Sequence, residues 1–303
     1  MDADRFSQGA AWVDGDYVPI AEARVPITDW GFLRSDATYD VVHVWKGRFF
    51  RLDAHIARFK RGVDKLRMTL PVDDAALSAI LHRCVSLAGL EDAYVEMILT
   101  RGAPPPGSRD PRLCRNSFFA FAVPFVWIAS EAAQETGISL RISDVVRIPE
   151  ASVDPTVKNY HWHDLTRGIF DAYAHGDATA VLVDGDGNVA EGPGFNIFTV
   201  RGGKVATPDS GVLEGITRQT AIELAREAGY TVEERPVPAD ELRRADEVFI
   251  TSTAGGIMPV SRVDGVQVGE GVPGPVTTAL RRRYWEAHAD PRWSEAVRAD
   301  GAA

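Results

Sequence analysis

Asp154-Pro155-Thr156-Val157-Lys158-Asn159-Tyr160-His161-Trp162 is the stretch on which the reading of this chain turns. Five lysines occur in 303 residues, and four have an obvious solvated place. Lys46 precedes Gly47 in a turn, Lys204 follows Gly202-Gly203 in another, and Lys60 and Lys65 sit among the charges of a helical pattern. Lys158 has apolar and aromatic neighbours instead. Such surroundings strip water from an ammonium and favour the neutral, nucleophilic amine, which is the chemistry of a Schiff-base lysine. A lysine at a strand end that buries its stem and keeps its head wet is the competing reading, and this segment alone does not choose.

Working outward, 45% hydrophobic and 25% charged residues describe a globular protein with a sizeable core, long enough for one large domain or two ordinary ones. A net charge of -10 argues against nucleic-acid binding, because reading a phosphate backbone needs a positive field. Small-molecule chemistry stays open. Cys84 and Cys114 are too few for a disulfide framework, which fits cytoplasmic residence. Met1-Asp2-Ala3-Asp4-Arg5 has no basic start leading into an apolar run, and no stretch approaches the length of a membrane span, so neither targeting nor membrane association is expected.

Asp14-Gly15 lies between the apolar flanks Ala11–Val13 and Tyr17–Val18, and Lys46-Gly47 repeats the device between Val41 and Phe50, predicting two hairpins. Helical spacing follows at Ile56, Phe59, Val63 and Leu66, and again at Leu77, Ile80, Leu81 and Val85. Strands are predicted at Tyr94–Thr100 and Phe118–Val126, joined by the polar loop Gly102–Arg115, whose length suggests a role. The polar run 129–136 reads as an interdomain linker between a domain over 1–128 and another over 137–303. The second is expected to hold helices at 163–174 and 217–228, the latter capped by its leading threonine. Gly137–Ile148 begins it as a β-rich region, and its expected strands are 180–183 and 196–200, one near Val232 and one at 247–251.

Two motifs fail on context. Gly185-x-Gly187-x-x-Ala190 follows a strand as a dinucleotide fingerprint does, but Glu191-Gly192-Pro193-Gly194 turns into another strand where a helix is required. Asp184-x-Asp186-x-Asn188 imitates a calcium loop, with Val189 and Phe195 where glycine and glutamate belong. His161-x-His163 lacks companions at metal-site spacing, so no metal is expected. More informative is Gly211-Val212-Leu213-Glu214-Gly215-Ile216-Thr217-Arg218, a glycine-containing loop opening a helix. Its free N–H groups and the Thr217 hydroxyl could hold a phosphate, or the loop could be a simple capping turn. Thr251-Ser252-Thr253-Ala254-Gly255-Gly256 offers a second set of donors at a strand end, and Arg58 a counter-charge.

Lys158 in its aromatic setting, Glu191-Gly192, Gly215-Ile216-Thr217-Arg218 and Thr253-Ala254-Gly255-Gly256 stand in the order found in class IV pyridoxal-phosphate enzymes. The chain resembles that family over nearly its whole length. The resemblance implies an α+β, two-domain protein of fold type IV, with a small N-terminal α/β domain, a larger C-terminal domain with a β-barrel-like core, and pyridoxal 5′-phosphate in the cleft between them. It implies that Lys158 carries the cofactor as a Schiff base and then shuttles the substrate proton. Glu191 would face the pyridine nitrogen. Arg58, Ile216, Thr217 and Thr253 would grip the phosphate. The amino group would pass through pyridoxamine phosphate to a second acceptor. Homodimers are usual in the family, with the segments holding Arg34 and Arg109 reaching the neighbouring subunit's site.

Within the family, branched-chain aminotransferases carry Tyr-x-Arg where this chain reads Tyr94-Val95-Glu96. A glutamate there would repel an α-carboxylate, as in the (R)-selective amine transaminases. Gly9–Val13, Ser35–Val41 with Tyr39 and Val41, Val44-Trp45, Lys158-Asn159 with Trp162, and Gly271–Pro275 resemble that subgroup too. The function so implied is transfer of an amino group from an (R)-amine to a keto acid such as pyruvate. Tyr39, Val41, Tyr94, Glu96, Trp162 and Ala254 would line the substrate site, and Arg109 would bind the acceptor's carboxylate, with Arg112 and Arg115 as alternatives. Arg34 and His163 depart from the subgroup, which usually has histidine and a smaller residue there. D-amino-acid or branched-chain aminotransferase activity is the nearest alternative, and a nucleotide-dependent oxidoreductase is the alternative from another class.

Overall fold

The computed structural model describes residues 3–298, which form two compact units. The first gathers the described residues up to Val126, the short segment Val157–Tyr160, and those from His288 onward; the second comprises Trp127–Thr156 and His161–Ala287.

In the first unit, β1 (Ala10–Val13) and β2 (Asp16–Pro19) make a hairpin whose Asp14-Gly15 turn has φ of 51° and 97°. Two positive φ values are what a tight two-residue hairpin turn demands of an Asp-Gly pair. Helix α1 (Trp30–Arg34) leads to β3 (Ala37–Trp45), and Lys46-Gly47 turns it into β4 (Arg48–Phe50). Helices α2 (Leu52–Lys65) and α3 (Asp74–Ala88) follow, the latter capped by the Asp73 carboxylate, which accepts from the Ala76 N–H. Strands β5 (Ala93–Ala103) and β6 (Arg115–Pro124) complete the centre, and the chain's last strand, β15 (Ser294–Ala296), adds to its edge. The seven strands are antiparallel in the order β15-β4-β3-β5-β6-β1-β2.

The strand period of two divides this sheet into two chemistries. Val42, Val95, Met97 and Ala120 point to α2 and α3, where Phe59, Leu77, Leu81 and Val85 close an apolar core. Each such large apolar side chain contributes about 2 kcal/mol on burial. In the same register Val41 lies opposite Glu96, Tyr39 opposite Ile98 and His43 opposite Tyr94, all on the other face. Within β3, β4 pairs only with Val44 and Trp45, so the first half of β3 has an open edge on that side. Residues 157–160 fill it: the Tyr39 N–H donates to the Lys158 carbonyl at 3.1 Å, and Thr38 pairs with Asn159.

The second unit begins with α4 (Glu131–Thr136), capped by Ser130, then β7 (Ile138–Val146), α5 (His163–Ala174) and β8 (Thr179–Val183). It continues through β9 (Asn196–Arg201), β10 (Lys204–Thr207), α6 (Ile216–Glu227), β11 (Val232–Glu234) and α7 (Ala239–Arg243). It ends with β12 (Glu247–Ser252), β13 (Gly256–Val263), β14 (Val266–Gln267) and α8 (Pro275–Glu286). Its eight-stranded mixed sheet runs β11-β10-β9-β12-β13-β7-β8, with β14 paired to β13.

Three features differ from the reading of the sequence. The run 129–136 holds α4, whose Ala133 packs on the second core, and the units divide after Val126. Residues 288–298 belong to the first unit because β15 pairs with β4, a match that Ser294-Glu295-Ala296 does not advertise locally. Helix α6 starts one residue earlier than expected, and its N-cap is Gly215, with no side chain capping it.

Candidate active site

Period-two alternation along Val157-Lys158-Asn159-Tyr160 sends Lys158 and Tyr160 to the sheet face of Tyr39 and Glu96. Lys158 Nζ stands 4.5 Å from the centre of the Tyr39 ring. Tyr160 stacks on the same tyrosine, with ring centroids 4.3 Å apart and 10° between planes. Its hydroxyl donates to Glu96 Oε1 at 2.8 Å. Burial and the adjacent Glu96 carboxylate push the Tyr160 phenol far up, so it keeps its proton and acts as the donor. Glu96 is 8% exposed, and its pKa is raised by burial against the opposing pull of the Tyr160 hydrogen bond and of Lys158. The backbone of Lys158 is held from below: Thr38 Oγ1 donates to its carbonyl at 2.9 Å, and α2 approaches so closely that a Cβ on Gly62 would come within 2.6 Å of that hydroxyl oxygen.

On the opposite face Asp40 receives Arg58 Nε at 2.7 Å and Nη2 at 2.8 Å, His55 Nδ1 at 2.7 Å, and the Val41 N–H. Burial by itself would raise the Asp40 pKa, but the Arg58 guanidinium and the His55 hydrogen bond outweigh it and hold the carboxyl well below the usual carboxylate range. His55 is pushed down by burial against the pull of Asp40, so it serves as a neutral N–H donor. Arg58, 4% exposed, is therefore a rigid donor whose charge is matched locally.

In the second unit Glu191 is 7% exposed and fixed at both oxygens. Arg147 donates to Oε1 through Nε at 3.3 Å and Nη2 at 3.2 Å, and the Leu213 N–H donates to Oε2 at 3.0 Å. The remaining Arg147 nitrogen reaches Asp164 Oδ2 at 2.6 Å, and Asp164 is held by the N–H groups of Ile148 and Leu165. Although burial opposes its charge, Glu191 and Asp164 raise the pKa of Arg147 further. The Leu213–Gly215 loop is tied down in turn: Asn196 donates to the Leu213 carbonyl at 2.9 Å, and a Cβ on Gly215 would lie 2.1 Å from Asn196 Oδ1. Behind Gly215 the uncapped N-terminus of α6 presents Ile216 and Thr217. At the end of β12, Ser252 Oγ donates to the Gly194 carbonyl and accepts from the Ala254 N–H, fixing the turn that carries Thr253.

The unit containing Lys158 thus also holds Arg58, Tyr39, Val41, Tyr94, Glu96, Arg34 and Arg109. Glu191, Ile216, Thr217, Thr253, Ala254, Trp162 and His163 lie in the other. Arg34 is exposed and stacks over Trp30, its guanidinium carbon 3.4 Å from the ring centre. Of the three loop arginines, Arg112 is bound to Asp110 at 2.6 Å, an exposed pair that lowers the aspartate to about 2 through the hydrogen bond from Arg112. Arg109 and Arg115 are exposed. Gly185 and Gly187 lie in a hairpin turn where Asp184 accepts from the N–H groups of Asp186 and Asn188, so that carboxylate serves its own loop. Sequence reading missed Arg147, Asp164, Asn196 and Tyr160. Tyr160 alone had a local signal, two residues beyond Lys158 on a strand-like alternation.

A lysine amine and a buried acid on one sheet face, with a fixed carboxylate and an uncapped helix start on a second sheet unit, are the parts of a fold type IV enzyme. The amino-transferase class IV family pattern matches residues 37–263. A putative branched-chain-amino-acid aminotransferase of Methanocaldococcus jannaschii is 32% identical over 276 residues, covering 90% of this chain and 94% of that protein. A D-alanine aminotransferase of Bacillus licheniformis is 29% identical over 266 residues, covering 87% and 92%. Among solved structures, the branched-chain amino acid aminotransferase of Thermobaculum terrenum in its pyridoxal-phosphate holo-form has a TM-score of 0.85 at 28% identity, over 97% of this chain and 99% of that one. This chain belongs to the class IV aminotransferases and is a pyridoxal-phosphate-dependent aminotransferase. Its residues suit that cofactor: Gly215, which no larger residue could replace without displacing Asn196, opens an uncapped helix start for a phosphate, and Glu191 is a buried carboxylate held in place by Arg147 and the Leu213 N–H.

Proposed function

We propose that this aminotransferase takes its amino group from an (R)-amine and delivers it to a keto acid such as pyruvate. The observation that carries this reading is Glu96, a buried carboxylate on the face of Lys158, where recognition of an amino acid's α-carboxylate would call for a cation. Bound pyridoxal phosphate supplies the electron sink for breaking the substrate C–H bond. Lys158 Nζ, 4.5 Å from the centre of the Tyr39 ring, takes that proton and returns it. Glu191, fixed by Arg147 and the Leu213 N–H, holds the proton on the ring nitrogen. Ile216 and Thr217 at the start of α6, with Thr253 and Arg58, hold the phosphate. Tyr39, Val41, Tyr94, Trp162 and Ala254 bound the amine's substituents. Arg109 binds the acceptor's carboxylate, and Arg34 stands at the edge of the site. The enzyme works in the cytoplasm as a homodimer whose site needs both subunits, so an active monomer in sedimentation would overturn that part.

Chiral analysis of the amine left from racemic 1-phenylethylamine and pyruvate tests the reading: the (R)-enantiomer is consumed and the (S)-enantiomer remains. Lys158→Ala is expected to abolish both turnover and the holoenzyme's absorption near the visible edge. The curated relatives favour a second reading, because their names are those of branched-chain and D-alanine aminotransferases. Faster turnover of D-alanine or leucine than of (R)-1-phenylethylamine would establish it.

A further inference from the structure

Tyr160 touches both halves of the substrate-facing surface on its unit. Its ring lies flat against Tyr39, the tyrosine beneath Lys158 Nζ, and its hydroxyl ends on Glu96. A phenol pinned at ring and oxygen pins its acceptor too, so the Glu96 carboxylate is held in one place. We propose that Tyr160 is the specificity-determining residue of this enzyme: acting through Glu96, it keeps a fixed negative charge on the face of the Lys158 amine, which admits amines and turns away substrates bearing an α-carboxylate. This rests on the amine reading above and extends it to a residue outside the phosphate grip.

The charge of Glu96 is decided by what faces it. Burial favours the neutral acid, and Asp40 across the sheet opposes ionisation; the Tyr160 hydroxyl and Lys158 favour the carboxylate. Tyr94 on the same strand and Tyr39 on β3 are phenols, and His43 lies one pair further along the face. Strand β6 offers this face Ser117, Phe119, Phe121 and Val123 in that register, none of them titratable. With Asp40 held ionised by Arg58, the donor to Glu96 that a conservative substitution can remove is the hydroxyl of Tyr160. Its loss shifts Glu96 toward the neutral form, so repulsion of a carboxylate begins only at higher pH.

Tyr160→Phe keeps the ring and its stacking and removes only the donor. In the holoenzyme, the ratio of kcat/KM for (R)-1-phenylethylamine over D-alanine is expected to fall about tenfold, the scale of a lost hydrogen bond to a charged group, mainly through a lower KM for D-alanine. The pH at which that ratio rises moves upward. In calorimetric titration 3-phenylpropionate, a carboxylate without an amine, binds about tenfold tighter than to the parent protein. Glu96→Gln removes the pH dependence of the ratio, and adding Tyr160→Phe to it changes nothing further. The proposal is overturned if Tyr160→Phe lowers kcat equally for both substrates while ratio, pH midpoint and 3-phenylpropionate binding stay put, or if its effect persists undiminished beside Glu96→Gln. A parent enzyme that prefers D-alanine would defeat the amine reading instead, and the change in ratio on removing the hydroxyl is readable in either case.

Discussion

Replacing Asp40 by asparagine tests the anchoring of the first unit's site. Asp40 is wholly buried and receives two bonds from Arg58, one from His55 and one from the Val41 N–H. Asparagine keeps one acceptor oxygen but places an amide NH2 where Oδ2 now meets Arg58 Nε at 2.7 Å, setting donor against donor. The Arg58 charge, 4% exposed, then loses that carboxylate. Removing one partner of a buried pair costs about 3–5 kcal/mol. For a unit of this size each kcal/mol corresponds to about 2–4 °C, so the apoprotein's first thermal transition should fall by about 10 °C. Circular dichroism of apoprotein is the assay, since bound cofactor would add stability by mass action. The sign with pH is fixed by the depressed pKa of Asp40: its contribution is complete above the unfolded value of about 3.9 and is lost only as pH falls through the lower folded value. The gap between parent and variant should therefore stay constant from about pH 7 to 9 and narrow only in acid. A variant melting within about 2 °C of the parent would refute the view that this pair anchors the sheet to α2.

Gly62→Ala would set a methyl 2.6 Å from Thr38 Oγ1 and loosen the bond that holds the Lys158 carbonyl. Better helix propensity offsets about 1 kcal/mol, so melting changes little while kcat falls by as much as about 10²-fold; unimpaired turnover would show that Lys158 is positioned otherwise. Gly215→Ala must push Asn196 away and free the Leu213 carbonyl, so the apoprotein should bind pyridoxal phosphate about tenfold more weakly in a fluorescence titration, one lost hydrogen bond's worth. Equal affinity would place the phosphate elsewhere. Arg147→Met leaves Glu191 and Asp164 buried without their cation, and the second unit should lose about 3–5 kcal/mol in urea unfolding. A loss confined to activity, with stability unchanged, would contradict that expectation.

The features legible in the amino-acid order lie within reach of a few neighbouring residues. Asp14-Gly15 and Lys46-Gly47 specify hairpin turns because their backbones must take positive φ. The stripes of α2 and α3 follow from helical period, and Gly215-Ile216-Thr217 opens a helix as its composition suggests. Lys158 stood apart from the other lysines for the same local reason. The resemblance implied pyridoxal phosphate as the cofactor of the chain, which the family match bears out. Which side chains meet was settled by folding. Arg147 finds Glu191 across 44 positions, Tyr160 finds Glu96 across 64, and the last strand reaches β4 from the far end of the chain. Those pairings are set by strand register and by the open edge of β3, which exist only once the sheet has formed. A one-residue slip of Val157–Tyr160 would turn Lys158 and Tyr160 away from Tyr39 and Glu96, leaving every local signal in the sequence intact.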